Sequence, residues 1–243
     1  MSSIFDEECL IPPLRGDLTF PNPRYAAREG LLAYGGDLSP NRLLTAYRRG
    51  IFPWYSEGDP ILWWSPDPRL LLYPERFKVN TSFRRILRNG GFSVTFDQAF
   101  EEVIRYCGTV PREGQNGTWL LREMQEAYIE LHRMGFAHSV EVNYEGELAG
   151  GLYGVAIGKA FFGESMFSLK SNASKVAFKA LSDVLGLRGY DFIDCQVINE
   201  HLVRLGATAT ARDSFLDELE ESLKRPSDLG SWQDFNWEYR DGR

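Results

Sequence analysis

The order of apolar and polar residues predicts a helix near position 40. In "GDLSPNRLLTAYRRGIFPW", Ser39 precedes Pro40, and Leu43 and Tyr47 follow about one helical turn apart. Serine before proline is a typical helix start, and a glycine such as Gly50 is common just after a helix end. The stretch that follows, "PWYSEGDPILWWSPDPR", is rich in proline and is expected to be irregular. These segments belong to a small N-terminal lobe that we assign to residues 1–64.

From about Ser65 the pattern alternates between strands and helices. Predicted strands are "RLLLYP" and "FSVTFD", and predicted helices are "TSFRRILRNG", "QAFEEVIRYCG", "TWLLREMQEAYIELHRMG" and "NASKVAFKALSDVLGLRG". The segment "AHSVEVNYEGELAGGLYGVAIGKAFFGESMFS" is typical of a strand meander, with turns at Glu145-Gly146 and Gly158-Lys159. This order predicts a mixed α+β domain over residues 65–243, built on a mainly antiparallel sheet.

The stretch "YDFIDCQVINEH" reads as a strand over "YDFIDCQVI" that leads into a helix near Asn199. Side chains alternate along a strand, so Asp194 and Gln196 are predicted on one face and Cys195 on the other. On that opposite face Cys195 would act as a small apolar residue. A nucleophilic thiol also needs an activating base, and the sequence offers none beside it.

A second acidic residue, Glu164, lies in the apolar strand "AFFGESMFS". Alternation places Glu164 with Phe162 and Met166, and places Phe161 on the opposite face. A carboxylate in such a strand is costly unless it is hydrogen-bonded or functional, and both explanations are open. Two acids and an amide on central strands predict a polar spot in an apolar pocket.

Composition limits the class of protein. The chain has 243 residues, 43% hydrophobic and 25% charged, with a net charge of −7. That charge argues against non-specific binding of nucleic acid by the whole surface. A local basic patch is still possible, because "FRRILR" puts Arg84, Arg85 and Arg88 on one predicted helix face. A solvated helix face is the alternative.

Several kinds of site have no sequence support. The three cysteines form no CxxC pair and the three histidines lack ligand spacing, so neither a metal nor a disulfide framework is expected. "GVAIGKA" fails the phosphate-loop pattern, and neither GxSxG nor GxGxxG occurs. With no apolar run near 18 residues and no secretory pattern at the N-terminus, we expect a cytoplasmic protein without a membrane partner.

Five segments together resemble the leucyl/phenylalanyl-tRNA–protein transferase family: "GLLAYGGDLSP", "RRGIFPWYSEGDPILWWSPDPR", "FGESMFS", "NASK" and "IDCQVIN". They occur in the family's order, between about Gly30 and about Gly206. The resemblance implies a small N-terminal domain followed by a GNAT-like acyltransferase domain. It also implies transfer of Leu or Phe, and less well Met, from aminoacyl-tRNA to proteins that begin with Arg or Lys. The product would be an N-end-rule degradation signal. An aminoacyl ester is already activated, so no cofactor is expected.

The resemblance also assigns site residues. It implies catalytic roles for Asp194 and Gln196, with Asp194 orienting Gln196 and the Gln196 carbonyl oxygen accepting a hydrogen bond from the attacking amine. Proton uptake by Asp194 or by the tRNA ribose hydroxyl is left open. Glu164 and Asp194 would meet the cationic N-terminal side chain of the acceptor. The basic segment with Arg84, Arg85 and Arg88 falls where the family faces tRNA. The residues that correspond to the family's aminoacyl pocket are Trp54, Trp119, Tyr128, Leu152 and Phe161, with Glu164 in or beside that pocket.

Leu152 stands where the family has Met, which leaves the preference among Leu, Met and Phe open. Three alternative functions fit the sequence less well. An acetyl-CoA-dependent N-acetyltransferase usually has an R/Q-x-x-G-x-G/A turn, which is absent here. Peptidoglycan transferases that use aminoacyl-tRNA are usually longer. A peptide-binding module without catalysis does not explain Asp194 and Gln196 on an internal strand. Nothing in the sequence demands a dimer, so a monomer is expected.

Overall fold

The computed structural model describes residues 11–110 and 120–240. The N-terminal part forms a four-stranded sheet with the order β1-β2-β4-β3. Its elements are β1 (Pro13–Leu14), β2 (Leu31–Gly35), α1 (Pro40–Tyr47), β3 (Phe52–Pro53) and β4 (Leu62–Trp64). The predicted helix at Pro40 is confirmed, and Ser39 stands at its N-cap. The Ser39 side chain makes no cap hydrogen bond; instead its backbone N–H donates to Oδ1 of Asp37 at 2.9 Å.

The rest of the chain is built on a seven-stranded sheet with the order β11-β5-β10-β9-β8-β7-β6. Its neighbouring strands pair antiparallel, except that β9 and β10 run parallel. The predicted α+β architecture with a mainly antiparallel sheet is therefore confirmed. The strands are β5 (Arg69–Leu72), β6 (Phe92–Phe96), β7 (Ala137–Tyr144), β8 (Glu147–Ile157), β9 (Ala160–Ser168), β10 (Phe192–Asp194) and β11 (Thr208–Thr210).

Helices cover both faces of this sheet. They are α2 (Thr81–Asn89), α3 (Phe100–Thr109), α4 (Arg122–Arg133), α5 (Ala173–Leu187), α6 (Glu200–Arg204) and α7 (Arg212–Leu223). One core packs α1, α3, α4 and α7 on the sheet, and the other packs α2, α5, α6 and Trp232 on it. No helix within the described ranges is both long enough and apolar enough to span a bilayer.

The first core joins the N-terminal lobe to the large sheet. Leu43, Tyr47 and Phe52 of the lobe belong to the same buried cluster as Phe100 and Phe162. The lobe boundary that we predict after residue 64 falls between β4 and β5, yet apolar packing continues across it. The lobe and the sheet therefore share one hydrophobic interior.

Two elements near the C-terminus were not predicted. The polar tail contains β11 and α7, and α7 buries Phe215, Leu216 and Leu219 on the sheet. The strand predicted over "YDFIDCQVI" is shorter than expected and consists of Phe192–Asp194. It ends early because the backbone at Gln196 takes a left-handed conformation with φ of 64°.

A β-bulge in β9 changes the alternation predicted for this strand. Tyr153 of β8 pairs with Ser165 and Gly154 pairs with Gly163, so Glu164 is the extra residue. Phe161 and Met166 therefore face the same core, whereas strict alternation would put them on opposite faces. The prediction that Glu164 shares a face with Met166 is wrong for this reason, whereas Phe162 lies in the core of Tyr47, which also contacts Glu164.

The tight turn between β8 and β9 gives a stability prediction. Gly158 has φ of 59°, and a Cβ there would lie 2.5 Å from the carbonyl oxygen of Ser222 at the end of α7. Gly158→Ala should lower the free energy of unfolding by about 1–2 kcal/mol through left-handed strain and by a further ~1–3 kcal/mol through the clash. At roughly 2–4 °C per kcal/mol, thermal unfolding should show a clear fall in Tm.

Gly146→Ala is the matched control for this variant. Gly146 also has a positive φ, of 85°, but a Cβ there meets nothing within 4 Å. Its variant should therefore show the left-handed strain alone. Equal Tm losses for the two variants would contradict the contact between α7 and the turn.

Candidate active site

A cavity of about 420 Å³ opens beside strands β8, β9 and β10. It is walled mainly by apolar side chains, including Trp54, Leu152, Phe161, Met166, Phe178 and Ile193. Glu164 and Gln196 supply polar groups to the same wall. The predicted pocket residues Trp54, Leu152, Phe161 and Glu164 thus meet at one cavity. Tyr128 lies behind Glu164, and Trp119 falls outside the described residues.

The cavity lies where β9 and β10 stop pairing. Their parallel register runs from Phe192 opposite Ala160 to Asp194 opposite Phe162 and then ends. Beyond that point β9 carries the bulge at Glu164, and the other chain turns at Gln196. These two irregularities bring the side chains together, with Gln196 Nε2 donating to Glu164 Oε1 at 2.8 Å.

Asp194 is held by a buried ion pair with Arg69 of the neighbouring strand β5. Arg69 Nε lies 2.8 Å from Asp194 Oδ1, and Arg69 Nη2 lies 2.6 Å from Oδ2. Both side chains are 0% exposed. The guanidinium also donates to the Gly50 carbonyl at 3.1 Å and lies over the rings of Phe52 and Phe215. Asp194 Oδ1 additionally accepts the backbone N–H of Gln196 at 2.8 Å.

This arrangement changes the predicted relation between Asp194 and Gln196. Their side chains do not lie side by side, because Asp194 faces Arg69 while Gln196 faces the cavity. Both carboxylate oxygens of Asp194 are engaged and buried. The predicted direct contact between Asp194 and a cationic substrate side chain does not fit this geometry, and neither does proton uptake by Asp194.

Cys195 lies at the cavity rather than away from it. Its side chain lines the wall beside Ile193, so the prediction that it faces away from the site is wrong. Burial, reinforced by the charge of Asp194, raises the pKa of the Cys195 thiol well above its ordinary value. A thiol that stays protonated is a poor nucleophile, so Cys195 contributes apolar surface.

Glu164 is the centre of a hydrogen-bond network. Tyr47 Oη donates to Glu164 Oε1 at 2.7 Å, and Tyr128 Oη donates to Glu164 Oε2 at 2.9 Å. The two tyrosine oxygens lie 2.5 Å apart. Burial raises the pKa of Glu164 to about 7, although hydrogen bonds from Tyr47, Tyr128 and Gln196 oppose the rise and the charge of Asp194 adds to it. Glu164 therefore changes protonation near neutral pH.

Two residues of this site were missed in the sequence. Tyr47 looked like an ordinary core residue on the apolar face of α1, although its hydroxyl reaches Glu164. Arg69 begins the otherwise apolar "RLLLYP" strand, and a charge in that position was a signal for a buried partner. Its partner Asp194 lies 125 positions away in the chain, which no local pattern reveals.

The predicted basic patch lies on α2, where Phe83 is buried and Arg84, Arg85 and Arg88 are exposed. Lys175 Nζ lies 5.9 Å from the Phe83 ring centroid, so α5 adds another cation to this surface. Positive charge also reaches the cavity. Burial, Lys175 and Arg204 together lower the pKa of His201, which lines the cavity wall.

Comparison with known proteins identifies the family. Residues 71–220 match the family described as leucyl/phenylalanyl-tRNA protein transferase, and residues 36–67 match its N-terminal domain. The chain is 54% identical to the leucyl/phenylalanyl-tRNA–protein transferase of Desulfatibacillum aliphaticivorans, over 88% of this chain and 92% of that protein. The enzyme of the same name from Myxococcus xanthus strain DK1622 is 55% identical, over 88% and 91% respectively.

Among solved structures, the chain resembles a GCN5-related N-acetyltransferase from Kribbella flavida. The identity is 12% and the TM-score is 0.38, over 71% of this chain and 61% of that one. The family match covers more than half of the chain, and its relatives match over nearly their full length. This chain therefore belongs to the leucyl/phenylalanyl-tRNA–protein transferase family.

Proposed function

We propose that this protein transfers Leu or Phe, and less well Met, from aminoacyl-tRNA to the N-terminal amine of proteins that begin with Arg or Lys. The product would carry an N-end-rule degradation signal. One observation carries the proposal: an apolar cavity has an amide and a carboxylate, Gln196 and Glu164, hydrogen-bonded to each other in its wall. A mainly apolar cavity of about 420 Å³ is within the usual range for small-molecule sites.

The apolar wall suits the side chain of the transferred amino acid. Leu152, Phe161 and Met166 belong to the cavity, and Trp54 of the lobe stands partly exposed beside it. An unbranched Cβ followed by a bulky apolar group, as in Leu or Phe, matches such a pocket. β-Branched side chains would be rejected by shape, at about 1–3 kcal/mol per misplaced methyl-sized group.

The reaction is attack of an amine on an ester carbonyl, and it needs orientation and a proton acceptor. The side-chain Nε2 of Gln196 donates to Glu164, and among the described residues no hydrogen bond to its side-chain Oε1 is seen. That oxygen can accept an N–H of the attacking amine. Asp194 is a positioning residue in this scheme, because it holds the Gln196 backbone and faces Arg69.

Acceptor recognition would depend on Glu164. It is the carboxylate in the cavity wall, so it can attract the cationic Arg or Lys side chain at the N-terminus of the acceptor. The basic surface of α2 would bind the tRNA backbone. Contacts from Arg84, Arg85 and Arg88 to phosphates would be largely independent of sequence and sensitive to salt.

The activity test uses Phe-tRNA with peptides that differ only in the first residue, Arg, Lys or Ala. We expect Phe to be added to the Arg and Lys peptides without ATP or acetyl-CoA, because the ester is already activated. A parallel incubation with acetyl-CoA and no tRNA tests the acetyltransferase alternative. Modification that requires acetyl-CoA, or none from Phe-tRNA, would refute the proposed function.

Adjacent variants on the cavity wall separate chemistry from packing. Gln196→Ala should lower kcat by roughly 10²-fold or more, because it removes the oxygen that meets the amine, while tRNA binding stays near normal. Cys195→Ala removes the neighbouring thiol and should keep most of the activity. Single-turnover rates and filter binding measure the two effects. Equal losses of rate and tRNA affinity for Gln196→Ala would contradict its role.

Neutralising the basic patch should weaken tRNA binding. The triple variant Arg84→Ser, Arg85→Ser, Arg88→Ser should raise the KM for Phe-tRNA, and the slope of log KM against log salt should fall by about 2–3. A control variant, Arg105→Ser, Arg133→Ser, Lys224→Ser, changes net charge equally at exposed positions on α3, on α4 and at the C-cap of α7. If the two triple variants have the same salt slope, the tRNA site lies elsewhere.

A further inference from the structure

Three oxygen-bearing groups behind the cavity form a closed triangle. Tyr47 Oη is 2.7 Å from Glu164 Oε1, Tyr128 Oη is 2.9 Å from Glu164 Oε2, and the two hydroxyl oxygens are 2.5 Å apart. Tyr47 and Tyr128 are both fully buried. Each of the three contacts is short enough to need a proton between its oxygens.

The number of protons depends on Glu164. When Glu164 is a carboxylate, the triangle holds two hydroxyl protons for three contacts, so one pair of oxygens faces each other without a proton. When Glu164 is a carboxylic acid, three protons serve three contacts. Glu164 Oε2–H then donates to Tyr128, Tyr128 donates to Tyr47, and Tyr47 donates to Glu164 Oε1. The geometry is therefore complete only after Glu164 takes up a proton.

We propose that Glu164, hydrogen-bonded to Tyr47 and Tyr128, is the proton acceptor for the attacking amine, with Gln196 orienting that amine. This inference rests on the proposed function and assigns Glu164 a catalytic role beyond attracting the acceptor. The amine enters as the free base. As its nitrogen bonds to the ester carbonyl carbon, one N–H proton passes to the Glu164 carboxylate. When the ester C–O bond breaks, that proton passes to the departing ribose oxygen, so the carboxylate is restored.

The groups that face Glu164 agree with this role. Burial raises the pKa of Glu164 to about 7, so it holds a proton below neutral pH and releases it above. Burial, with the charge of Glu164, raises the pKa of Tyr47 and Tyr128 well above their ordinary value, so both stay neutral donors. Asp194 adds a negative charge that is paired with Arg69. The other titratable groups of this cavity wall are Cys195, His201 and Tyr153.

Protonation of Glu164 sets the direction in which the transfer rate changes with pH. Above pH about 7 Glu164 is ionised and can accept a proton, and below that pH it is already protonated. The rate at saturating substrates should therefore fall in acid, about tenfold per pH unit. The acceptor amine, with an ordinary pKa of about 7.7–8.0, also lowers the rate in acid. Variants are therefore needed to distinguish its effect from that of Glu164.

The test combines infrared titration of the protein alone with rate profiles from pH 5.5 to 9. A carboxylic-acid band should appear with a midpoint near pH 7 in wild type and be absent in Glu164→Gln. Tyr47→Phe removes one oxygen of the triangle and one donor to Glu164, so its midpoint and its acid limb should both move by about one pH unit in the same direction. Glu164→Gln should lower kcat by about 10²-fold or more.

Tyr73→Phe is the matched control. Tyr73 Oη also donates to a carboxylate, Glu218 of α7 at 2.8 Å, and neither residue lines the cavity. It should leave both the band and the acid limb unchanged. The proposal is overturned if Glu164 shows no titration between pH 5.5 and 9, or if Tyr47→Phe and Tyr73→Phe give the same acid limb. Because the infrared arm needs no substrate, it reports the titration of Glu164 even if wild type transfers nothing, a result that would refute the proposed function instead.

Discussion

The buried ion pair between Arg69 and Asp194 is the interaction on which the rest of the site depends. Two charges removed from water are costly unless their geometry is nearly ideal, and here both oxygens of Asp194 meet the guanidinium fork. The same guanidinium reaches the Gly50 carbonyl and two aromatic rings. It therefore ties the lobe, the sheet and α7 to one point. Removing either partner would leave an unpaired buried charge, at a cost of about 3–5 kcal/mol.

That ion pair also explains the backbone beside it. Glutamine rarely adopts a positive φ, and the 64° at Gln196 needs compensation from its surroundings. Asp194, fixed by Arg69, accepts the Gln196 N–H, and the Gln196 side chain then reaches Glu164. Strand β10 ends here for that reason. The strain is located where the amide must leave the sheet and enter the cavity.

Local patterns predicted most of the fold and only part of the site. Helices α1 to α6 and the meander of β7 to β9 follow apolar periodicity and turn residues, which are properties of neighbouring positions. Strand β11 and α7 were missed because the tail is polar overall, although Phe215, Leu216 and Leu219 form a buried stripe. The bulge at Glu164 could not be predicted, because it is defined by pairing with β8. The contact between Arg69 and Asp194 has the same origin in long-range packing.

The N-terminal lobe is part of the site rather than an attachment to it. Tyr47 of α1 supplies one of the donors to Glu164, and Phe52 and Trp54 contribute to the cavity wall. The Gly50 carbonyl just after α1 accepts a further hydrogen bond from Arg69. A lobe that separated from the sheet would therefore remove a hydrogen bond from Glu164 and an acceptor from Arg69 at the same time. Because both losses fall on the Gln196 and Glu164 pair, packing of the lobe and the protonation of Glu164 are physically coupled.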